Sequence, residues 1–288
     1  MIDLHTHSTV SDGSDPPERI PELAAAAGCT AVALTDHDSH AGLAAAMKSA
    51  EKVGITLIPG CEVSCLAAGP NADPEGKGRS MHVLVYFVQD GEGPLQDELA
   101  ALRVDRITRN RRLAKRLVEL GLQINYEDVI TAAGGQEDGV GRPHFAAALV
   151  AAGAADDIND AFDRWLGDGG AAHVSKSRVL PGQIAALAKA SGGVAVLAHP
   201  LTLGLFPAGL ESAVRELADA GFGGIEAVYG RYTPRQRAEL AAMAHRVGLV
   251  ATGGSDYHGT YKPDLAVGKG TGDLDVPDIT LERLAARV

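Results

Sequence analysis

Six histidines sit at the edges of short apolar runs with acidic residues beside them, and this placement constrains the fold more than any other feature. The runs read MIDLHTH (1–7), AVALTDHD (31–38), TLIPGCE (56–62), MHVLVYF (81–87), VAVLAHP (194–200) and LVATGGSDYH (249–258). Brief apolar runs divided by alanine-rich helical stretches read as strands of βαβ units in a mostly parallel sheet. Such strands, closed into a barrel, present their carboxyl ends on one rim, where these folds keep their chemistry. Imidazoles and carboxylates gathered there predict a divalent-metal site.

Length and composition agree with that reading. A chain of 288 residues suits one α/β barrel, and 45% hydrophobic with 22% charged residues allows a sizeable core. Aromatics are 4% while glycines number 35, which predicts tight packing of helices on the sheet. The three cysteines, Cys29, Cys61 and Cys65, have no zinc-ribbon spacing, and their odd number argues against a disulfide framework. A reducing, cytoplasmic compartment is expected, with no secretory signal ahead of the first strand and no apolar stretch long enough for a bilayer. The formal charge of −11 argues against binding long duplex nucleic acid. It leaves room for a small anionic substrate, because bound cations would dominate the local field.

The helical pattern divides the chain. Pro17–Ala27 reads as a helix with Asp15 as N-cap and Gly28 as its stop, and Gly42–Val53 as a second helix closed by Gly54. The Gly/Pro/Asn-rich stretch between Cys65 and Ser80 reads as an exposed loop or hairpin near the rim. From about residue 92 to Gly170 the periodicity is helical throughout, and βα alternation returns after Leu180. The expected organisation is a barrel built from 1–95 and 176–288, with a helical insertion over 96–175.

His5 and His7 lie two apart on a strand, so their side chains share a face and can chelate one ion. An H-x-H pair alone is common in loops and cores. It gains force from Asp12 in SDG, His37 in TDHD and Glu62 in PGCEVS, where a strand-end carboxylate can bridge two ions. His82, His199, Asp256 and His258 complete the set. Any one of these reads as an ordinary capped or buried polar residue; their recurrence at separate strand ends reads as a metal site.

HTHSTVSDG, TDHD, PGCEVS, His82 with its following strand, AHP and SDYH together resemble the successive motifs of the polymerase and histidinol phosphatase (PHP) family. The resemblance implies a distorted (β/α)7 TIM-like barrel with two or three divalent ions, manganese first and iron or zinc as alternatives. It implies one ion held by His5, His7, Glu62 and Asp256. A second would be held by Glu62, His82 and His199, and a third by Asp12, His37 and His258. GRPH (Gly141–His144) in the helical stretch, followed by AAHVSK, resembles the members acting on nucleotide phosphates: the nucleoside-3′,5′-bisphosphate phosphatases and the 5′–3′ exoribonucleases of short RNA. The chain departs from that subgroup in carrying His173-Val174-Ser175 where related sequences have Tyr-Val-Pro.

The expected reaction is hydrolysis of a nucleotide phosphate ester. Two neighbouring ions would lower the pKa of a shared water and supply a hydroxide nucleophile. Glu62, Asp256 and His258 are the candidate catalytic residues. Arg142, His144 and Lys176 are the candidate substrate contacts, since a guanidinium fork suits phosphate oxygens. The expected partner is a small anionic phosphate ester, an AMP-like nucleotide or a short oligoribonucleotide. The basic stretch Arg103–Arg116 is expected to be a solvated helix face rather than an RNA-tracking surface, with room for some of its arginines to face the pocket. Histidinol-phosphate phosphatase is the alternative enzyme, and a metal-binding regulator without turnover the alternative of another class.

Overall fold

The computed structural model describes residues 1–66, 80–88, 90–167, 169–174, 179–205 and 207–288. In chain order the elements are β1 (Ile2–Asp3), α1 (Arg19–Ala26), β2 (Ala31–Leu34), α2 (Leu43–Val53), β3 (Thr56–Leu66) and β4 (Ser80–Tyr86). A helical stretch follows: α3 (Pro94–Glu119), α4 (Tyr126–Ala132), α5 (Arg142–Ala151) and α6 (Ile158–Ala161), the last continued by a π-turn over Phe162–Leu166. Then come α7 (Pro181–Ala190), β5 (Val194–Leu197), α8 (Pro207–Asp219), β6 (Gly224–Tyr229), α9 (Pro234–Val247), β7 (Val250–Gly254) and α10 (Ile279–Ala285).

The seven strands lie side by side in chain order. β1, β2 and β3 are parallel, as are β5, β6 and β7, whereas β4 runs antiparallel to both neighbours. The sheet closes on itself between its first and last strands. Leu4 donates to the Gly253 carbonyl (3.1 Å), Asp256 to that of His5 (2.8 Å) and His7 to that of Tyr257 (2.9 Å). This seam needs a residue without a side chain, since a Cβ on Gly254 would stand 2.4 Å from the His5 nitrogen. The result is a nearly closed, distorted (β/α)7 barrel, as expected from the strand pattern.

Side-chain alternation explains how the strands are used. Ile2, Leu4, Ala31, Ala33, Ile58, Leu84, Tyr86, Val194, Val196 and Val250 share one buried cluster, the barrel interior. The neighbours of opposite parity pack outward: Val32 and Leu34 against Ile20, Ala24, Leu43 and Ala46 of α1 and α2. Val83, Val85, Ala195, Leu197, Ile225 and Ala227 pack with Ile184, Leu210, Val214 and Leu240 of α7, α8 and α9. Cys61 and Cys65 are buried in this outer cluster as packing residues. Period two also puts Glu62, His82 and Glu226 on the inner face, in step with Ile58, Leu84 and Gly224.

The helical stretch has its own core. Leu113, Leu117, Val129, Phe145, Leu149 and Leu166 form a separate buried cluster. α3 serves both bodies: Leu95, Leu99 and Leu102 pack with the barrel strands, and its second half with the helical cluster.

Three sequence expectations change. Asp15 does not cap α1, which begins at Arg19 without a side-chain cap; Asp15 instead accepts a 2.6 Å bond from the Tyr257 hydroxyl. His82 opens its strand, yet reaches the rim with the others, because β4 is reversed and starts where its neighbours end. The C-terminal α10 had no counterpart in the sequence reading. The stretch expected as a rim loop joins β3 to β4, and 67–79 lie outside the described residues. No helix among the described residues is long and apolar enough to cross a membrane.

Candidate metal centre

Each strand end delivers one or two polar side chains to the same rim. His5 and His7 follow β1, Asp12 the turn after it, His37 follows β2, His199 follows β5, and Asp256 and His258 follow β7. The local backbone is bent to do so: His199 (φ 25°) and Asp256 (φ 55°) occupy the left-handed region, which costs a non-glycine residue about 1–3 kcal/mol and persists only where surroundings enforce it.

Glu62 is the centre of the arrangement. Its Oε1 lies 2.8 Å from His82 Nδ1 and 3.0 Å from His199 Nε2, while Oε2 lies 3.1 Å from His7 Nε2, 3.3 Å from His37 Nδ1 and 3.4 Å from His5 Nε2. Asp256 Oδ1 stands 3.5 Å from both His5 Nε2 and His7 Nε2. Asp12 lies between His37 (3.6 Å) and His258 (3.3 Å). Ligand atoms of His7, Asp12, His37 and His258 lie within 4.8 Å of one another, as do those of His5, His7 and Asp256, and of His37, Glu62 and His82. These groupings share His7 and His37 between sets that the family resemblance keeps apart.

The donor chemistry fits divalent cations. His5 and His7 present Nε2 atoms to each other at 3.1 Å, and Asp12 Oδ1 is buried with no hydrogen-bond partner. Opposed imidazole nitrogens and an unbonded buried carboxylate oxygen are costly alone and satisfied by a shared cation. The three carboxylates and two of the imidazoles are held in ligating forms, whereas, against their burial, Glu226 raises His5 and Glu62 raises His199. Burial would raise the Glu62 carboxyl, but His82, His37 and His5 and the bond from His199 hold it well below the usual range. Burial likewise opposes ionisation of Asp12 and Asp256, which His37 and His258, and Lys262 and His5, hold low. Burial pushes His37 and His258 down toward the neutral, ligating form.

Around this rim stands a second tier that the sequence did not single out. Glu226 is fully buried and bonds His5 Nδ1 at 2.9 Å. Tyr229 donates to Asp256 Oδ2 (2.8 Å), and Lys262 pairs with the same oxygen. A lone acid inside the apolar GIEAVY run was the available signal for Glu226; Lys262 follows in a loop with none.

One cleft opens over the rim. A cavity of about 360 Å³ is lined by His37, Glu62, His82, His199, Asp256, His258, Lys262, Arg142 and Phe162. An adjoining one of about 190 Å³ shares several of these and adds Asp12, Arg106, Arg109 and Gly141. The basic stretch therefore differs from the solvated face expected of it. Arg111, Arg112, Lys115 and Arg116 are exposed, but Arg106 and Arg109 are buried on the cleft side of α3. Arg106 pairs with Asp38, and Arg103 donates to the Asp38 carbonyl (2.9 Å). Arg109 has no ion pair among the described residues, and burial beside Arg142 and Arg106 lowers it to about 9.

The GRPH motif divides into different tasks. Gly141 must lack a side chain, since its Cβ would stand 2.7 Å from that of Asp12. Arg142 lines both cavities, its guanidinium 5.8 Å from the Phe162 ring. His144 is buried, and its Nδ1 accepts the Gly141 N–H (3.0 Å), capping α5. Lys176 lies outside the described residues.

Ligand-type side chains converging on the rim of a seven-strand barrel, faced across one cleft by guanidinium groups, define a metal-dependent phosphoesterase. The chain belongs to the PHP domain family, whose model matches residues 3–166. It is 34% identical over 260 residues to the phosphoribosyl 1,2-cyclic phosphate 1,2-diphosphodiesterase of Eggerthella lenta, spanning 90% of this chain and 94% of that one. It is 31% identical to the 3′,5′-nucleoside bisphosphate phosphatase of Chromobacterium violaceum (89% and 87% covered). The 5′-3′ exoribonuclease Rnm of Salmonella typhimurium is also 31% identical (90% and 85%). Among solved structures, one from Bifidobacterium adolescentis, assigned to the metal-dependent phosphoesterases, superposes with a TM-score of 0.85 at 29% identity, covering 99% and 96% of the two chains. An amidohydrolase structure from Chromobacterium violaceum with bound sulfate gives 0.84 at 30% identity, with the same coverage.

Proposed function

We propose that this enzyme hydrolyses phosphate esters of nucleotides, either 3′,5′-bisphosphates or short 5′-phosphorylated RNA, and that it reads two phosphoryl groups of one substrate. The observation that carries the proposal is the single cleft with an imidazole–carboxylate rim on one side and Arg106, Arg109 and Arg142 on the other. A phosphoryl group is drawn to both: to guanidinium directly, and to a carboxylate rim through cations. The three named relatives all act, by their names, on phosphorylated ribose compounds.

In this reading His5, His7, Glu62 and Asp256 hold one divalent ion, Glu62, His82 and His199 a second, and Asp12, His37 and His258 a third, manganese being the proposed metal. Such ions supply Lewis acidity to the phosphoryl oxygen and lower the pKa of a water. Glu62, Asp256 and His258 act as ligands rather than as free bases. Asp256 Oδ2 is engaged by Tyr229 and Lys262, which leaves only Oδ1 toward the rim. His258 Nδ1 donates to the Asp256 carbonyl (2.9 Å), so its Nε2 lone pair faces Asp12. Arg142 and Arg109 would bind the second phosphate, with Lys176 as a further contact, and 96–175 would be the specificity element. The three cysteines are free and buried, which supports the cytoplasmic setting proposed for the enzyme.

The test is to incubate manganese-reconstituted protein with adenosine 3′,5′-bisphosphate, a 5′-phosphorylated short RNA, a 5-phosphoribosyl 1,2-cyclic phosphate and histidinol phosphate. Phosphate or mononucleotide released from either nucleotide substrate is the expected result. Turnover of the cyclic phosphate alone would move the assignment to cyclic phosphodiesters, and turnover of histidinol phosphate alone would refute the two-phosphate reading.

A further inference from the structure

Glu226 is a carboxylate with no exposure, placed on the inner face of β6 in a run that is otherwise apolar. Burying a carboxylate is costly unless its oxygens are bonded. Here each oxygen has one partner, and the two partners belong to different parts of the rim. Oε1 lies 2.9 Å from His5 Nδ1, and Oε2 accepts the backbone N–H of His199 at 2.7 Å.

Both partners need what Glu226 provides. His5 turns Nε2 toward His7, Glu62 and Asp256, so it can ligate there only with its proton on Nδ1, where Glu226 accepts it. His199 has φ 25°, a backbone state that must be enforced from outside, and its N–H is tied to Glu226 while its Nε2 faces Glu62 Oε1. We propose that Glu226 is a positioning residue that sets two candidate ligands at once, fixing the tautomer of His5 and the backbone of His199, on opposite oxygens of Glu62. The inference rests on the metal-centre reading of the rim but not on any choice of substrate.

The chemistry makes a sharp prediction for Glu226→Gln. A backbone N–H can only donate, so the amide oxygen must face His199 and the amide NH2 must face His5. His5 would then accept at Nδ1 and carry its proton on Nε2, the atom needed for the ion. Glu226→Gln should therefore disable the His5 set and spare the His199 set, whereas Glu226→Ala should weaken both.

Metal content and affinity of purified protein, titrated with manganese and separately with zinc, read this directly. The expected result is about a 10- to 100-fold loss of affinity for one ion in Glu226→Gln, and for two in Glu226→Ala. Wild-type stoichiometry and affinity in Glu226→Gln would overturn the proposal. So would a fall in melting temperature of the metal-free variant with an unchanged gain on adding metal, which is what a merely structural role predicts. A measurement on the unaltered protein guards against variants that fail to fold. With 15N-labelled histidine and zinc bound, His5 should show a protonated Nδ1 and a bound Nε2; a His5 ring protonated at Nε2 would refute the assignment.

Discussion

The rim and the arginine wall face the same cleft, yet they are built on opposite principles. Rim side chains come from different strands and are cross-linked: Glu62 alone touches five histidines, while Tyr229 holds Asp256 and Glu226 holds His5 from behind. The wall comes mainly from α3 and the start of α5, and its support is thin. One ion pair from Asp38 steadies Arg106, while Arg109 is buried with no such partner among the described residues. The difference teaches what each side awaits. A lattice of lone pairs is completed by cations, and converging guanidinium groups are completed by an anion; a phosphate ester between them answers both.

The comparison can be broken at its centre first. Glu62→Gln should abolish metal retention and reduce phosphate release on the order of a thousandfold or more, measured by metal analysis and turnover on one sample. Retained metal with full activity would mean that the rim does not depend on its central carboxylate. Asp38→Asn attacks the wall at Arg106. Removing one partner of a buried ion pair costs about 3 kcal/mol, to be read from urea denaturation, while metal content should stay unchanged.

Arg142→Ala and Arg109→Met sharpen the contrast instead of breaking it. Each should lower kcat/KM for adenosine 3′,5′-bisphosphate about 10- to 100-fold, the scale of a charged hydrogen bond, and scarcely affect a simple aryl phosphate. Equal losses on both substrates would move these arginines from the second phosphate to the reacting one.

The smallest effect lies behind the wall. His40 is buried with both ring nitrogens unbonded, and burial lowers it to about 4. The unfolded chain takes up this proton near pH 6.5 and the folded one does not, so stability is full above that pH and is lost as pH falls toward about 4. His40→Leu should flatten this slope, removing roughly 1 kcal/mol of the change between about pH 7 and 5.5 in denaturation curves.

The same contrast explains what could be read in advance. Strand-end histidines announce themselves because apolar runs fix where a strand stops, and α2 lies within one residue of its expected limits, closed by Gly54. The wall was hidden for a physical reason. Basic residues occur all around α3, and which of them are buried is decided by the face that packs: Arg106 and Arg109 share it with Leu99, Leu102 and Leu113, whereas Arg111 lies outside it. The capping role of His144 was not legible, because a helix cap and a substrate contact use the same imidazole. The stretch between β3 and β4 reads equally as a loop or a hairpin, and the direction of β4 is decided by its pairing with β3 and β5.

That reversed strand also acts as a gauge. Because β4 begins at the rim, the chain leaves the barrel at the far end, and α3 must climb back along the outside. Arg106 lies 12 residues after Pro94, a rise of about 18 Å, comparable with the roughly 20 Å spanned by seven extended residues of β4. The guanidinium groups thus arrive at mouth height partway up a longer rod, whose upper half carries the helical cluster like a bracket. Adding or removing one turn below Arg106 would move every cation on that rod by about 5.4 Å relative to the fixed rim. The distance between the guanidinium groups and the rim is in this sense written in the length of a helix.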